Sequence, residues 1–171
     1  GSHCTRCRRP VAFYDNIPVL SWVLLRGRCR QCEKPISWRY PLIELLGACA
    51  AGAAWWRWEG DWAWAGAAFT LLAALLCVAF IDCDTFLIPD ELSLGMVAVG
   101  LLASPLNPAL GDTAWTRLVS SGLGAASGFA LCWGLALLGE KLFKREAMGA
   151  GDVKLLAGVG AWLGALGAFD T

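Results

Sequence analysis

The sequence predicts an all-α, polytopic membrane protein: about five transmembrane helices preceded by a small N-terminal cytoplasmic module. Three observations carry that expectation. Hydrophobic residues fill 57% of the 171 positions and charged residues only 16%, whereas a soluble domain of this length carries about 25% charge. Mean hydropathy is +0.55. The charges are also bunched, leaving long neutral intervals between them, which is the patterning of membrane-crossing segments. The lipid bilayer is therefore an expected partner, and nothing in the composition calls for nucleic acid.

The N-terminal module covers residues 1–40 and the helical core residues 41–171. The module holds eight of the fourteen Lys and Arg residues: Arg6, Arg8, Arg9, Arg26, Arg28, Arg30, Lys34 and Arg39. It also holds four of the eight cysteines, as Cys4-x2-Cys7 and Cys29-x2-Cys32. Each CxxC turn aims two thiolates at one point, and two such turns complete a tetrahedral S4 site suited to Zn²⁺ in a zinc-ribbon-like fold. Four thiolates leave no open coordination position, so the expected role is structural. Disulfides are the alternative, disfavoured because the basic charge points to the reducing, cytoplasmic side. A module of this size has too small a core to fold unaided, so the metal supplies much of its stability. Cys49, Cys77, Cys83 and Cys132 lie in or beside apolar runs and read as buried small apolar filler.

Five apolar runs follow, at 42–56, 63–81, 92–104, 118–139 and 155–169. Crossing about 30 Å of hydrocarbon takes about twenty helical residues. The second and fourth runs meet this outright; the others borrow flanking residues or rely on shielding by neighbours. Gly47, Ala50, Ala51 and Ala54, then Gly122, Ala125 and Ala126, then Gly158, Gly160 and Gly164 supply small residues for close helix packing. No internal repeat stands out. With one crossing per run, residues 1–40, 82–91 and 140–154 share a side, and their excess of Lys and Arg makes it the cytoplasm.

Within that side the 82–91 loop is an exception, holding Asp82, Asp84, Asp90 and Glu91 and no basic residue. Asp82 directly follows a neutral run. Asp152 opens another and is preceded by Gly149-Ala150-Gly151. Each has a bland reading, Asp82 as a helix terminator in headgroup water and Asp152 as an N-cap. Topology places both at helix ends on one face, where two close carboxylates share a proton and serve as acid and base. One would activate water while the other protonates the scissile carbonyl oxygen or the leaving amine. Asp90 after Pro89 reads as the cap of the third helix. Lys154 either snorkels to the interface or sits near Asp152. Glu44 pairs with Arg39 or is drawn to the interface.

Phe80-Ile81-Asp82-Cys83-Asp84-Thr85-Phe86-Leu87-Ile88-Pro89-Asp90 resembles the first catalytic motif of the type IV prepilin peptidases, and Gly149-Ala150-Gly151-Asp152-Val153-Lys154 their second, GxGD motif. Asn16–Trp22, Arg26–Cys29 and Arg39–Leu46 are similar to the family's cytoplasmic loop. The resemblance implies a bifunctional enzyme of the bacterial inner membrane. Such an enzyme cleaves the basic leader of prepilins or pseudopilins after a glycine, on the cytoplasmic side. It then N-methylates the new amino terminus with S-adenosylmethionine. By match to the motifs, Asp82 and Asp152 are the catalytic pair and Cys4, Cys7, Cys29 and Cys32 the metal set; no residue is assigned to the methyl donor. Full members begin with a further helix bearing a glycine-rich, asparagine-containing stretch and end with one or two more helices, so this chain is expected to be shortened at both ends. Two other classes compete. A non-enzymatic zinc-bearing subunit of a pilus or secretion assembly would need the cysteines but not the acid pair. A proton-coupled transporter would need the acids but not the cysteines.

Overall fold

The computed structural model describes residues 2–144 and 148–169, with side chains of the last helix described as far as residue 165. Among the described residues the regular elements are helices and no strand forms beyond two isolated bridges, and the chain divides into two compact units, one ending at Ala53 and the other beginning at Ala54.

In the first unit, short local elements lie between the two cysteine turns: a 3-10 turn at Phe13–Asn16 and helix α1 at Leu20–Leu24. They are held by side chains rather than by a large core. Trp22 Nε1 donates to the Ile36 carbonyl at 3.1 Å, and the Ser21 hydroxyl donates to the Tyr14 carbonyl at 3.1 Å. Helix α2, Arg39–Arg57, starts in this unit. Glu44 on α2 accepts the Val19 amide hydrogen at 2.8 Å, so a backbone donor satisfies the carboxylate that the sequence leaves in an apolar run.

The second unit contains α3 (Trp62–Thr85), α4 (Asp90–Ala103), α5 (Ala114–Phe143) and α6 (Ala150–Phe169). Every apolar run of the sequence forms a helix. Among the described residues, two helices are long and apolar enough to cross a membrane: α3 with 24 residues and α5 with 30. The 14 residues of α4 rise only about 21 Å at 1.5 Å each, short of a full crossing, so the five apolar runs give five helices but not five established spans. Two 3-10 turns, Ser104–Leu106 and Pro108–Leu110, close the segment after α4. Arg117 braces it, donating to the Gly111 and Pro105 carbonyls at 2.7 and 2.8 Å.

The core gathers around Trp162 of α6, which packs with Trp64, Ala103 and Ala161. Its indole Nε1 donates to the Met96 carbonyl at 2.9 Å. The ring lies so close to Gly100 that a Cβ there would stand 2.8 Å from Trp162 Cδ1. Helices α5 and α6 cross at Gly124 and Gly160, where a Cβ on either residue would collide with the carbonyl of the other. Such backbone contact is how small residues drive helix association where lipid offers no hydrophobic gain.

Helix α6 breaks at Gly164, which adopts φ 77° and ψ 178°, a conformation open essentially only to glycine. A break strips preceding carbonyls of their helical partners, and in an apolar setting each must be satisfied some other way. Two side chains do this. The buried Ser121 hydroxyl donates to the Ala161 carbonyl at 2.6 Å, and buried Asn107 Nδ2 donates to the Trp162 carbonyl at 2.7 Å.

Candidate functional sites

The metal site is made from two copies of one turn. The Cys4 amide donates to the Arg9 carbonyl at 3.0 Å and the Arg8 amide to the Cys4 carbonyl at 2.9 Å. In the second copy the Cys29 amide donates to the Lys34 carbonyl at 3.0 Å and the Glu33 amide to the Cys29 carbonyl at 2.9 Å. Arg8 and Glu33, each directly after the second cysteine of its pair, are both left-handed, at φ 58° and 55°. Single antiparallel bridges, His3 to Pro10 and Arg28 to Pro35, close the two turns. The likeness is visible in Cys4-Thr5-Arg6-Cys7-Arg8-Arg9-Pro10 and Cys29-Arg30-Gln31-Cys32-Glu33-Lys34-Pro35. It corrects the expectation of no internal repeat: with two cysteines, one basic residue and one proline in common, the signal is too short to find without the shared geometry.

All four sulfurs lie within 4.8 Å of one another, and Cys4 Sγ stands 3.9 Å from Cys32 Sγ. Tetrahedral coordination with sulfurs about 2.3 Å from an ion requires edges of about 3.8 Å, so the donor set fits a metal ion. Its electrostatics point the same way. Hydrogen bonds from the Cys7 and Arg6 amides draw the Cys4 thiol down to about 6. At Cys32 the Lys34 amide also pulls downward. Loss of water and hydrogen bonding with the other three thiols outweigh it, and the Cys32 thiol is pushed up to about 11. Four crowded sulfurs cannot all ionise alone; a cation among them removes the conflict.

Beside the cysteines lies a concavity of about 1240 Å³, whose walls include Tyr14, Trp22, Trp38, Asp15 and Glu44. Arg30 fixes one wall: its Nε and Nη2 donate to the two Asp15 oxygens, both at 2.7 Å, while the guanidinium lies 5.6 Å from the Tyr14 ring centroid. The Arg30 hydrogen bond and charge hold the Asp15 carboxyl below its ordinary range.

The second unit places the two acidic motifs. Asp82 lies near the C-terminus of α3, where its carbonyl accepts the amide of the left-handed cap Phe86 at 2.8 Å. Its carboxylate is exposed and makes no hydrogen bond among the described residues. Asp152 is not the N-cap of α6 but the third residue of that helix, and Oδ2 reaches back to accept the Gly149 amide at 3.2 Å. This is one half of a capping box, and among the described residues Oδ1 has no hydrogen-bond partner. Asp90 differs from expectation too. It is the first residue of α4, capped by Pro89 without a side-chain bond, and its carboxylate instead holds Lys154 Nζ at 2.6 and 2.7 Å. Lys154 therefore has a partner, Asp90, that the sequence reading did not name.

What the fold brings together is two motif segments, through neighbours of the acids. Ile88, between Asp82 and Asp90, packs on Gly151 so closely that a Cβ there would stand 2.9 Å from Ile88 Cβ. One turn further along α6, Asp90 grips Lys154. Sequence reasoning gave neither contact a role. The available signal was a charge pair, an acid at the start of α4 and a base early in α6, on helices expected to begin on one face.

The profile of the bacterial peptidase A24 N-terminal domain matches residues 1–58, and that of the type IV leader peptidase family matches residues 69–170. Relatives include a prepilin leader peptidase/N-methyltransferase of Neisseria gonorrhoeae, 39% identical over 95% of this chain and 54% of its own length. A protein of the same description from Aeromonas hydrophila is 42% identical over 95% of this chain and 54% of its own. A type 4 prepilin-like proteins leader peptide-processing enzyme of Escherichia coli O78:H11 is 38% identical over 96% of this chain and 59% of its own. The chain thus spans about half the length of the curated relatives it matches. No solved structure matches it.

Proposed function

The chain belongs to the type IV leader peptidase family, and from that premise we propose that it carries the catalytic centre of a membrane aspartic endopeptidase that removes the leader of type IV prepilins or pseudopilins. The observation that carries the reading is the junction of the two motifs, Phe80–Asp90 and Gly149–Lys154, through Ile88 on Gly151 and Asp90 on Lys154. In this reading Asp82 and Asp152 are the catalytic residues. One carboxylate takes a proton from water as its oxygen attacks the scissile carbonyl carbon. The other donates a proton to the carbonyl oxygen and, as the C–N bond breaks, a proton passes to the leaving amine. The excess of Lys and Arg in residues 1–40 and 140–154 supports a cytoplasmic site in the bacterial inner membrane.

The four cysteines suit a structural Zn²⁺, since their spacing matches a tetrahedral S4 site and they leave it no open position. The relatives' description adds N-methylation, for which S-adenosylmethionine supplies an electrophilic methyl group. The aromatic and acidic walls of the concavity in the first unit fit a sulfonium nucleoside: ring faces attract the cation and Glu44 adds negative charge.

The test is cleavage of a prepilin substrate by the purified chain in detergent. Asp82→Asn and Asp152→Asn should each lower the rate by about 10²–10⁴-fold while the protein still inserts into membranes. Processing by both variants at the unmodified rate would refute the acid pair.

A further inference from the structure

The geometry points to the Asp90–Lys154 ion pair as the positioning device of this centre: it clamps the N-terminus of α4 to that of α6 and so sets where the Asp82 segment stands relative to Asp152. This rests on the peptidase reading above and deepens it by naming residues that act through the catalytic pair rather than on substrate.

Three observations carry it. First, the pair is bidentate in distance, with Lys154 Nζ 2.6 and 2.7 Å from the two Asp90 oxygens, and it joins positions 64 residues apart. Second, each partner is placed so that the other is needed. Lys154 lies near the start of α6, where the positive end of the helix dipole disfavours a cation, and Asp90 supplies the compensating anion. Asp90 is the first residue of α4 yet forms no cap there, so its carboxylate remains available to Lys154. Third, the pair does not act alone on the junction. Ile88, two residues before Asp90, rests on Gly151, three residues before Lys154. Two contacts on one short strap fix orientation as well as distance, which one contact cannot do. The strap is brief: three residues separate Phe86, the cap that ends α3, from Asp90, and Asp82 is one turn before that cap. A shift at Asp90 is therefore passed to Asp82 through few rotatable bonds, and small displacements of reacting groups cost large factors in rate.

The experiment measures cleavage of a prepilin leader peptide by the full chain in detergent, together with amide hydrogen exchange over 86–92 and 148–154. Asp90→Asn and Lys154→Met should each lower kcat about tenfold or more with KM little changed, the split expected of residues that position the catalytic pair rather than hold substrate. Exchange over both segments should speed up. Asp90→Glu and Lys154→Arg should retain most activity, and the exchanged pair Asp90→Lys with Lys154→Asp should recover activity relative to either neutral variant. The inference is overturned if the neutral variants keep unmodified kcat and exchange. It is equally overturned if they lose kcat while both charge-conserving variants lose as much, since the carboxylate or amine would then be acting for itself. Failure of the unmodified chain to cleave would count against the peptidase reading instead, and the exchange data on the neutral variants would still decide whether the pair holds the junction.

Discussion

The Ser121 hydroxyl donates to the carbonyl of Ala161 at 2.6 Å, across the interface of α5 and α6 and three residues before the break at Gly164. With Asn107 on the Trp162 carbonyl, it allows α6 to leave helical geometry inside a packed, apolar environment. Ser121→Ala should leave a buried acceptor unpaired and destabilise the protein by about 1–3 kcal/mol. Asn107→Ala should do the same, and thermal unfolding in detergent reads both. Gly164→Ala should be more severe, because φ 77° is closed to alanine and its Cβ would stand 2.8 Å from Leu110 Cδ2.

The two glycines before Asp152 should respond differently to alanine. A Cβ at Gly149 would meet Asp152 Oδ2 at 3.4 Å, an ordinary contact, whereas at Gly151 it would stand 2.9 Å from Ile88 Cβ. Gly149→Ala is expected to keep activity within about threefold of the unmodified chain, the modest effect of alanine at a cap. Gly151→Ala should displace the Ile88 strap and lower cleavage about tenfold or more. Side-by-side cleavage rates check both, and equal loss in the two variants would count against the packing account.

Loss of one thiolate should release the metal. Cys29→Ser is expected to take bound zinc from about one equivalent to near zero, read by elemental analysis of the purified chain. Acid should have the same effect on the unmodified chain, since protons compete with the ion for thiolate. Unchanged zinc in Cys29→Ser would sink the four-sulfur assignment.

The Asp15–Arg30 pair should show a defined pH signature. Arg30 holds the Asp15 carboxyl below its ordinary value of 3.8, so the stabilisation is present above that value and fades as pH falls through the lower, folded one. Arg30→Met should return the Asp15 titration toward 3.8, as followed by carboxyl chemical shift.

Much of this was legible in the sequence. Neutral runs revealed the five long helices α2 to α6 because burial in lipid or protein leaves no room for charge, but not the five-residue α1; the cysteine spacing revealed the cluster because each CxxC turn is local. The ends were less legible: α5 spans Ala114–Phe143 where the neutral run gives only 118–139, since caps and interfacial residues extend a helix past its apolar stretch. Helix faces were legible only in part. Gly158, Gly160 and Gly164 do pack closely, but among the described residues a Cβ on Gly47 or Gly122 would meet nothing within 4 Å beyond its own helix, and Gly124 and Gly128 make the contacts on α5 instead. Small size marks a residue that can be approached, and only the partner helix decides which one is. Asp90–Lys154 was hidden for the same reason, as a pairing between elements far apart in the chain.

The doubled cysteine turn bears on how the first unit assembles. Each turn completes its own backbone bonds, Cys4 to Arg9 and Cys29 to Lys34, within a few residues and at the small entropy of a short loop. Each is thus a two-pronged claw able to form before it has anything to grip. Joining the claws is the long-range event: the links Asp15–Arg30 and Trp22–Ile36 tie the intervening segment to the second claw, and an ion shared by all four sulfurs would bring in the first. A chain stripped of its ion should therefore keep each claw and the link from Asp15 to the second, and lose chiefly the union of the two claws.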